Sequence, residues 1–216
     1  MHGIYSRISP AFRSNGNVPA VFLDRDGVVL EDTGYLCRVE DMRYVAGATE
    51  SIGALNRAGI PVVMVTNQAG VGRGYYNWAE FEAVQDALEA ELGKAGAWLD
   101  GVWACAYHND AIAEFRIGNH SHRKPNPGML LEAATEMRLD VTKSWMVGDK
   151  ACDVQAGINA GVLASIHVKT GYGGNVRKQL EEQHNGSGRV RFCGDLSEAV
   201  QLILETCSPD LLHGKT

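Results

Sequence analysis

Short apolar runs alternate with helix-period segments along most of this chain, and that alternation restricts its fold more than any other feature. Ala20 to Asp24, Ile60 to Thr66, Gly101 to Cys105, Ser144 to Gly148 and Ala164 to Val168 read as buried strands, each too short and too uniformly apolar to be a surface element. Between them, Ala48 to Ala58, Asn77 to Lys94, Met129 to Met137 and Val154 to Ala160 carry helical spacing. In the longest of these, Trp78, Phe81, Val84, Leu88 and Leu92 fall on one face, and Gly96 follows as a stop. Strand and helix in strict alternation require a parallel sheet covered on both faces. The expected class is therefore α/β, a three-layer Rossmann-like fold with a mostly parallel central sheet. A last strand at Val190 to Cys193 and a closing helix, with Leu196, Val200, Ile203 and Leu204 inward, complete a domain expected over residues 19–207. Residues 1–18 are polar, carry Pro and Gly and show no period, so they read as an arm, and 208–216 as a tail.

At 216 residues, with 45% hydrophobic and 21% charged residues, the chain has enough apolar surface for one self-sufficient domain. No apolar run approaches the roughly 20 residues of a membrane span, and residues 1–18 lack a signal-like apolar core, so the expectation is a cytoplasmic protein. Five scattered cysteines with no Cys-x-x-Cys pair suit reduced thiols. A net charge of -6 disfavours nucleic acid as a partner and leaves a small anion open, because a few local cations outweigh a weak overall field. Trp78 and Phe81 read as core packing, with a dimer contact as the other reading; a monomer or weak homodimer is the expected state.

In an open α/β sheet, ligands sit beyond the carboxyl ends of the strands. The first strand ends in Asp24 and Asp26, the second in Thr66 and Asn67, the fourth in Gly148 and Asp149 with Asp153 close behind, and Arg123 and Lys124 follow the third. Carboxylates so crowded raise one another's pKa, a strain best relieved by a hard divalent cation, and Mg²⁺ is the natural one. Asp24 and Asp26, two apart on extended backbone, start on the same face and can converge on one phosphoryl group. One ionised carboxylate can then attack phosphorus while a second, protonated, serves the leaving alkoxide, with a lysine and a hydroxyl holding the equatorial oxygens.

Asp24-Arg25-Asp26-Gly27-Val28, Thr66-Asn67-Gln68, Lys124-Pro125 and Gly148-Asp149-Lys150-Ala151-Cys152-Asp153 resemble, in order and spacing, the four signature motifs of the haloacid dehalogenase (HAD) superfamily. Asp32-Thr33-Gly34-Tyr35, the stretch Val65 to Gly74 and the stretch Arg123 to Met129 narrow the resemblance to its heptose bisphosphate and histidinol phosphatase family, over residues 19–172. The resemblance implies an aspartyl-phosphate enzyme with no separate cap domain. It makes Asp24 the nucleophile and a Mg²⁺ ligand, Asp26 the acid and then base with its backbone carbonyl on the metal, and Asp149 the remaining protein ligand. Thr66 and Lys124 would steady the phosphoryl group, while Asp32, Gly34, Tyr35, Asn67, Gln68, Arg123 and Lys150 would contact substrate alongside them. The implied substrate is a small phosphorylated metabolite, a sugar (bis)phosphate such as D-glycero-D-manno-heptose 1,7-bisphosphate. Histidinol phosphate, a nucleic-acid 3'-phosphate, or a phospholigand bound without turnover are the alternatives.

Members of that family also hold a structural zinc on Cys-x-His and Cys-x-Cys pairs. Here the pairs read Cys105-Ala106-Tyr107, with His108 one place late, and His120-Ser121-His122. Cys105, His108, His120 and His122 are acceptable zinc ligands by type, though the shifted histidine demands a rebuilt loop. Without zinc, packing of Ile112 and Phe115 is expected to order residues 109–119. Arg73, between two glycines, reads equally as a contact for a distal substrate anion or as a surface turn.

Overall fold

The computed structural model describes residues 3–14 and 16–207. Seven strands form one sheet: β1 (Ile4–Ile8), β2 (Val21–Leu23), β3 (Val62–Asn67), β4 (Gly101–Cys105), β5 (Trp145–Gly148), β6 (Ala164–His167) and β7 (Val190–Phe192). The helices are α1 (Ala48–Arg57), α2 (Ala69–Gly72), α3 (Trp78–Lys94), α4 (Gly128–Met137), α5 (Ala151–Ala160), α6 (Gly173–Gln183) and α7 (Leu196–Thr206). The spatial order is β1-β4-β3-β2-β5-β6-β7, and every pairing is parallel except that of β1 with β4. Strand order therefore reverses about β2, which places a crevice beyond its carboxyl end.

Period-two backbone sorts each strand's residues to two faces, and both faces are buried. Val21, Leu23, Val62 and Met64 join Ile52, Leu55, Leu88, Leu92 and Ile203 in one apolar cluster. Phe22, Val63, Val65 and Trp103 join Met129, Leu130, Ala133 and Ala156 in the other. Burying each large side chain in these layers stabilises the fold by roughly 1.5–3 kcal/mol. This accounts for the uninterrupted apolar runs: a strand covered on both sides has no solvent face to keep polar.

Besides the one-turn helix α2, two elements differ from the sequence expectation. Residues 4–8, expected as part of an arm, form the antiparallel edge strand β1. Ile4 and Ile8 pack on one cluster, while Tyr5 stacks on Trp78 at 5.8 Å and meets Phe81 edge-on at 5.2 Å. Five residues of mixed polarity carry too little period to announce a strand; the edge of β4 supplies the template. The expected tail, 208–216, lies outside the described residues. Helix α6 was not anticipated because it opens on two glycines, and its contribution to a small apolar cluster is Leu180 and Val176. The segments 25–47 and 106–127 contain single turns and no separate domain, as expected.

Candidate active site

The chain leaves β2 through Asp24, whose N–H still bonds Val147 O at 3.0 Å. It then turns at Gly27, where φ is 94°. A Cβ at Gly27 would overlap Asp149 Oδ2, so this turn requires glycine on two grounds.

Lys124 is the electrostatic centre. Its Nζ lies 2.8 Å from Asp24 Oδ1 and 2.7 Å from Asp153 Oδ1, and donates to Val65 O at 2.8 Å. All three side chains are buried. Burial opposes the lysine's charge, yet Asp153 and Asp24 hold its pKa above the ordinary value. The Asn67 amide fixes the Lys124 backbone from both sides, donating to Lys124 O at 3.0 Å and accepting from Lys124 N at 3.1 Å. Burial pushes the Asp24 carboxyl up to about 6 against the pull of Lys124, which leaves it largely ionised at neutral pH.

Asp149 faces Asp24 across the crevice. Burial first, then the Asp24 charge, raises its pKa to about 7. Its Oδ2 accepts from Tyr172 N at 2.7 Å, whereas its buried Oδ1 has no hydrogen-bond partner. His167, anticipated as a satisfied core residue, is fully buried with Nε2 3.0 Å from the Asp149 carbonyl.

Asp26 accepts from Arg25 Nε at 3.0 Å, Arg25 Nη2 at 3.1 Å and Gln68 Nε2 at 3.0 Å. Arg25 itself is wholly buried, its guanidinium over the Phe81 ring at 5.2 Å. Gln68 also donates to Thr66 Oγ1 at 2.8 Å and accepts from the Tyr76 hydroxyl. A donor role for Asp26 thus requires its side chain to turn from Arg25 toward a substrate.

Lys150 Nζ pairs with Asp32 Oδ2 at 2.7 Å, and Gly34 N donates to Asp32 Oδ1 at 2.8 Å. The Tyr35 hydroxyl accepts from Arg73, which also reaches Asp110 at 3.2 Å. Of the two readings of Arg73, its observed partners are protein groups. Arg123 Nη1 donates to Tyr107 O at 3.1 Å.

The possible zinc set is not assembled. Tyr107 stacks on His120 at 4.0 Å, His122 bonds Glu132 at 2.7 Å, and His108 sits beside Arg73 and Asp110. Burial lifts the Cys105 thiol to about 11, so it is a protonated thiol in the metal-free protein. Phe115 is buried against Tyr107 as expected, but Ile112 is 45% exposed, so the loop rests on the Tyr107 stack.

Among the described residues, Asp24, Asp149 and Asp153 form the one group of three such ligands whose atoms lie within 4.8 Å of one another. Both Asp153 oxygens are engaged, by Lys124 and by Lys150 N at 2.9 Å, so Asp153 anchors the lysine. The orphaned Asp149 oxygen, set against like charges, fits a hard divalent cation. Sequence reasoning overlooked Arg25 and the stretch Thr170, Gly171 and Tyr172; asking what β6 deposits at its carboxyl end would have found the latter.

A family model described as HAD-hydrolase-like matches residues 121–198. The D-glycero-beta-D-manno-heptose-1,7-bisphosphate 7-phosphatase of Mesorhizobium japonicum is 45% identical over 146 residues, 68% of this chain and 67% of that one. That of Photorhabdus laumondii is 39% identical over 186 residues, 86% of this chain and 97% of that one. A HAD-like phosphatase structure from Mesorhizobium loti aligns with TM-score 0.81 at 36% identity, covering 94% of this chain and 92% of the other. D,D-heptose 1,7-bisphosphate phosphatase from B. bronchiseptica, complexed with magnesium and phosphate, aligns with TM-score 0.76 at 30% identity, covering 88% and 100%. These likenesses, laid over the fold and the charged crevice, define a phosphatase of the HAD type. Within that class the chain belongs to the D-glycero-D-manno-heptose 1,7-bisphosphate 7-phosphatase family.

Proposed function

We propose that the protein removes a phosphate from D-glycero-D-manno-heptose 1,7-bisphosphate through an aspartyl-phosphate on Asp24, with Mg²⁺. The observation that carries this reading is the buried contact of Lys124 with both Asp24 and Asp153, which sets an ionised carboxylate beside a fixed cation at the sheet's switch point. Asp24 attacks phosphorus and the sugar alkoxide departs with a proton from Asp26. Asp26 then takes a proton from water, which attacks the aspartyl-phosphate and frees inorganic phosphate. Lys124 and the Thr66 hydroxyl stabilise the equatorial oxygens. Asp24, Asp149 and the Asp26 carbonyl would hold Mg²⁺, which supplies positive charge against the phosphate. Monoester hydrolysis without catalysis is slow enough that accelerations reach ~10²¹, so each group has a large barrier to lower.

Lys150, with its partner Asp32, and Arg123 would meet the rest of a bisphosphate, as the resemblance implies. No helix among the described residues is long and apolar enough to cross a membrane, and every described cysteine is a free thiol, which supports a reducing cytoplasmic setting. The test is a phosphate-release screen, with and without EDTA, over heptose bisphosphate, other sugar bisphosphates, histidinol phosphate and a 3'-phosphorylated oligonucleotide. Metal-dependent turnover fastest on heptose bisphosphate supports the proposal. Preference for histidinol phosphate would replace the substrate and keep the chemistry, and silence on every compound would leave a phospholigand-binding protein.

A further inference from the structure

The loop after β6, residues 168–172, touches the site at three points that the chemistry above leaves unused. Thr170 Oγ1 donates to the Gly27 carbonyl at 2.6 Å, across 143 residues of sequence. Tyr172 N donates to Asp149 Oδ2. Gly171, with φ of 56°, has no room for a side chain: its Cβ would overlap Asp149 Oδ2 and come within 2.6 Å of Gly27 Cα. The Asp149 carboxylate is therefore wedged between two glycines from opposite ends of the chain.

Each contact removes a specific freedom. A carboxylate can turn about its last bond by half a revolution, and the Tyr172 N–H selects which oxygen stays unbonded. Gly27 N bonds Leu30 O at 2.6 Å, so the planar peptide points the Asp26 carbonyl away from Leu30. The next carbonyl, that of Gly27, is held by Thr170. Thr170 is half-buried and also accepts from Gly173 N at 2.8 Å through its own carbonyl, which ties the loop to the start of α6.

From this geometry we infer that Thr170 is a positioning residue for the cation site: its hydroxyl locks the Asp26-Gly27 turn and the Asp149 carboxylate in one register, so that both present their free oxygens together. The inference rests on the phosphatase reading for the identity of the cation, Mg²⁺, and for nothing else. Partners of metal ligands set ligand orientation, and their loss weakens metal binding by roughly ten- to a hundredfold. A single neutral hydroxyl acting through a neighbouring peptide belongs at the low end of that range.

Calorimetric titration of metal-free protein with Mg²⁺ alone provides the test, on wild type, Thr170→Val and Thr170→Ser, alongside the melting temperature of each without metal. Thr170→Val keeps the shape and removes the hydroxyl, and Thr170→Ser keeps the hydroxyl. The expected result is Mg²⁺ binding about tenfold weaker in Thr170→Val, close to wild type in Thr170→Ser, and similar metal-free melting in all three. Unchanged Mg²⁺ affinity in Thr170→Val overturns the inference, as does a Thr170→Ser protein as weak as the valine variant. Should Thr170→Val melt lower without metal, the serine variant decides: restored binding upholds the positioning role, and unrestored binding ends it. A wild type that binds Mg²⁺ but releases no phosphate defeats the phosphatase reading and leaves this one standing.

Discussion

Lys124 and Asp153 form a buried ion pair at 2.7 Å, and the same ammonium lies 2.8 Å from Asp24. One cation thus serves two carboxylates, Asp24 just after β2 and Asp153 in α5, which follows the neighbouring parallel strand β5. Replacing Asp153 with Asn leaves Lys124 with one charged partner in a dry environment. The expected loss is about 2–3 kcal/mol, below the roughly 3–5 kcal/mol of a fully orphaned buried charge, because Asp24 remains. Denaturant unfolding checks the stability, and phosphate release checks the accompanying fall in turnover.

Asp24→Asn should abolish turnover and leave the fold intact. The substitution removes the attacking oxygen's charge, while it also relieves repulsion among three carboxylates whose oxygens lie within 4.8 Å. Substantial residual phosphate release together with a native circular-dichroism spectrum would reject the covalent route.

Gly27→Ala should reduce kcat by about a hundredfold or more, since its Cβ displaces Asp149 and a shift near 1 Å at a reacting centre has that consequence. Steady-state kinetics at saturating Mg²⁺ is the measurement. Near-normal kcat would mean the crevice tolerates a displaced Asp149.

The raised pKa values of Asp149, about 7, and Asp24, about 6, fix the sign of two pH effects in the metal-free protein. Both exceed the ordinary carboxylate value near 4, so between roughly pH 4 and 7 the folded state binds more protons than the unfolded chain. These groups therefore lower metal-free stability as pH rises through that window, and contribute no penalty below it. Protons also compete with Mg²⁺, so its apparent affinity should climb from pH 5 to about 7 and then level. Melting curves and Mg²⁺ titrations across pH 5 to 8 read both trends.

The Tyr107–His120 stack involves two of the positions at which the sequence resemblance leads one to look for zinc ligands. Incubation with a zinc chelator should leave the melting temperature unchanged, and Tyr107→Ala should cost about 1–3 kcal/mol through lost packing and ring contact. Zinc found in stoichiometric amount on elemental analysis would contradict the geometry.

The alternation of apolar strands and helices was legible because a strand covered on both faces must be apolar throughout, and a crossover helix must keep a stripe. Asp24, Thr66, Lys124 and Asp149 were legible for a related reason: each lies at the carboxyl end of a strand or in the loop beyond it, where parallel topology gathers residues. Strand β1 was hidden because edge pairing with β4 makes it, and α6 because Leu180 and Val176 give too thin a stripe.

Sequence by itself determined the parallel core of the sheet, the class of chemistry and the polar side chains carried at the strand ends, since these depend on local period and on what each strand carries at its end. Tertiary structure alone decided which partners those residues take. It gave Asp153 to Lys124, turned Tyr35 to Arg73, wedged Asp149 between Gly27 and Gly171, and set a tyrosine on His120. Such pairings depend on distances between segments far apart in the chain, which no local pattern encodes.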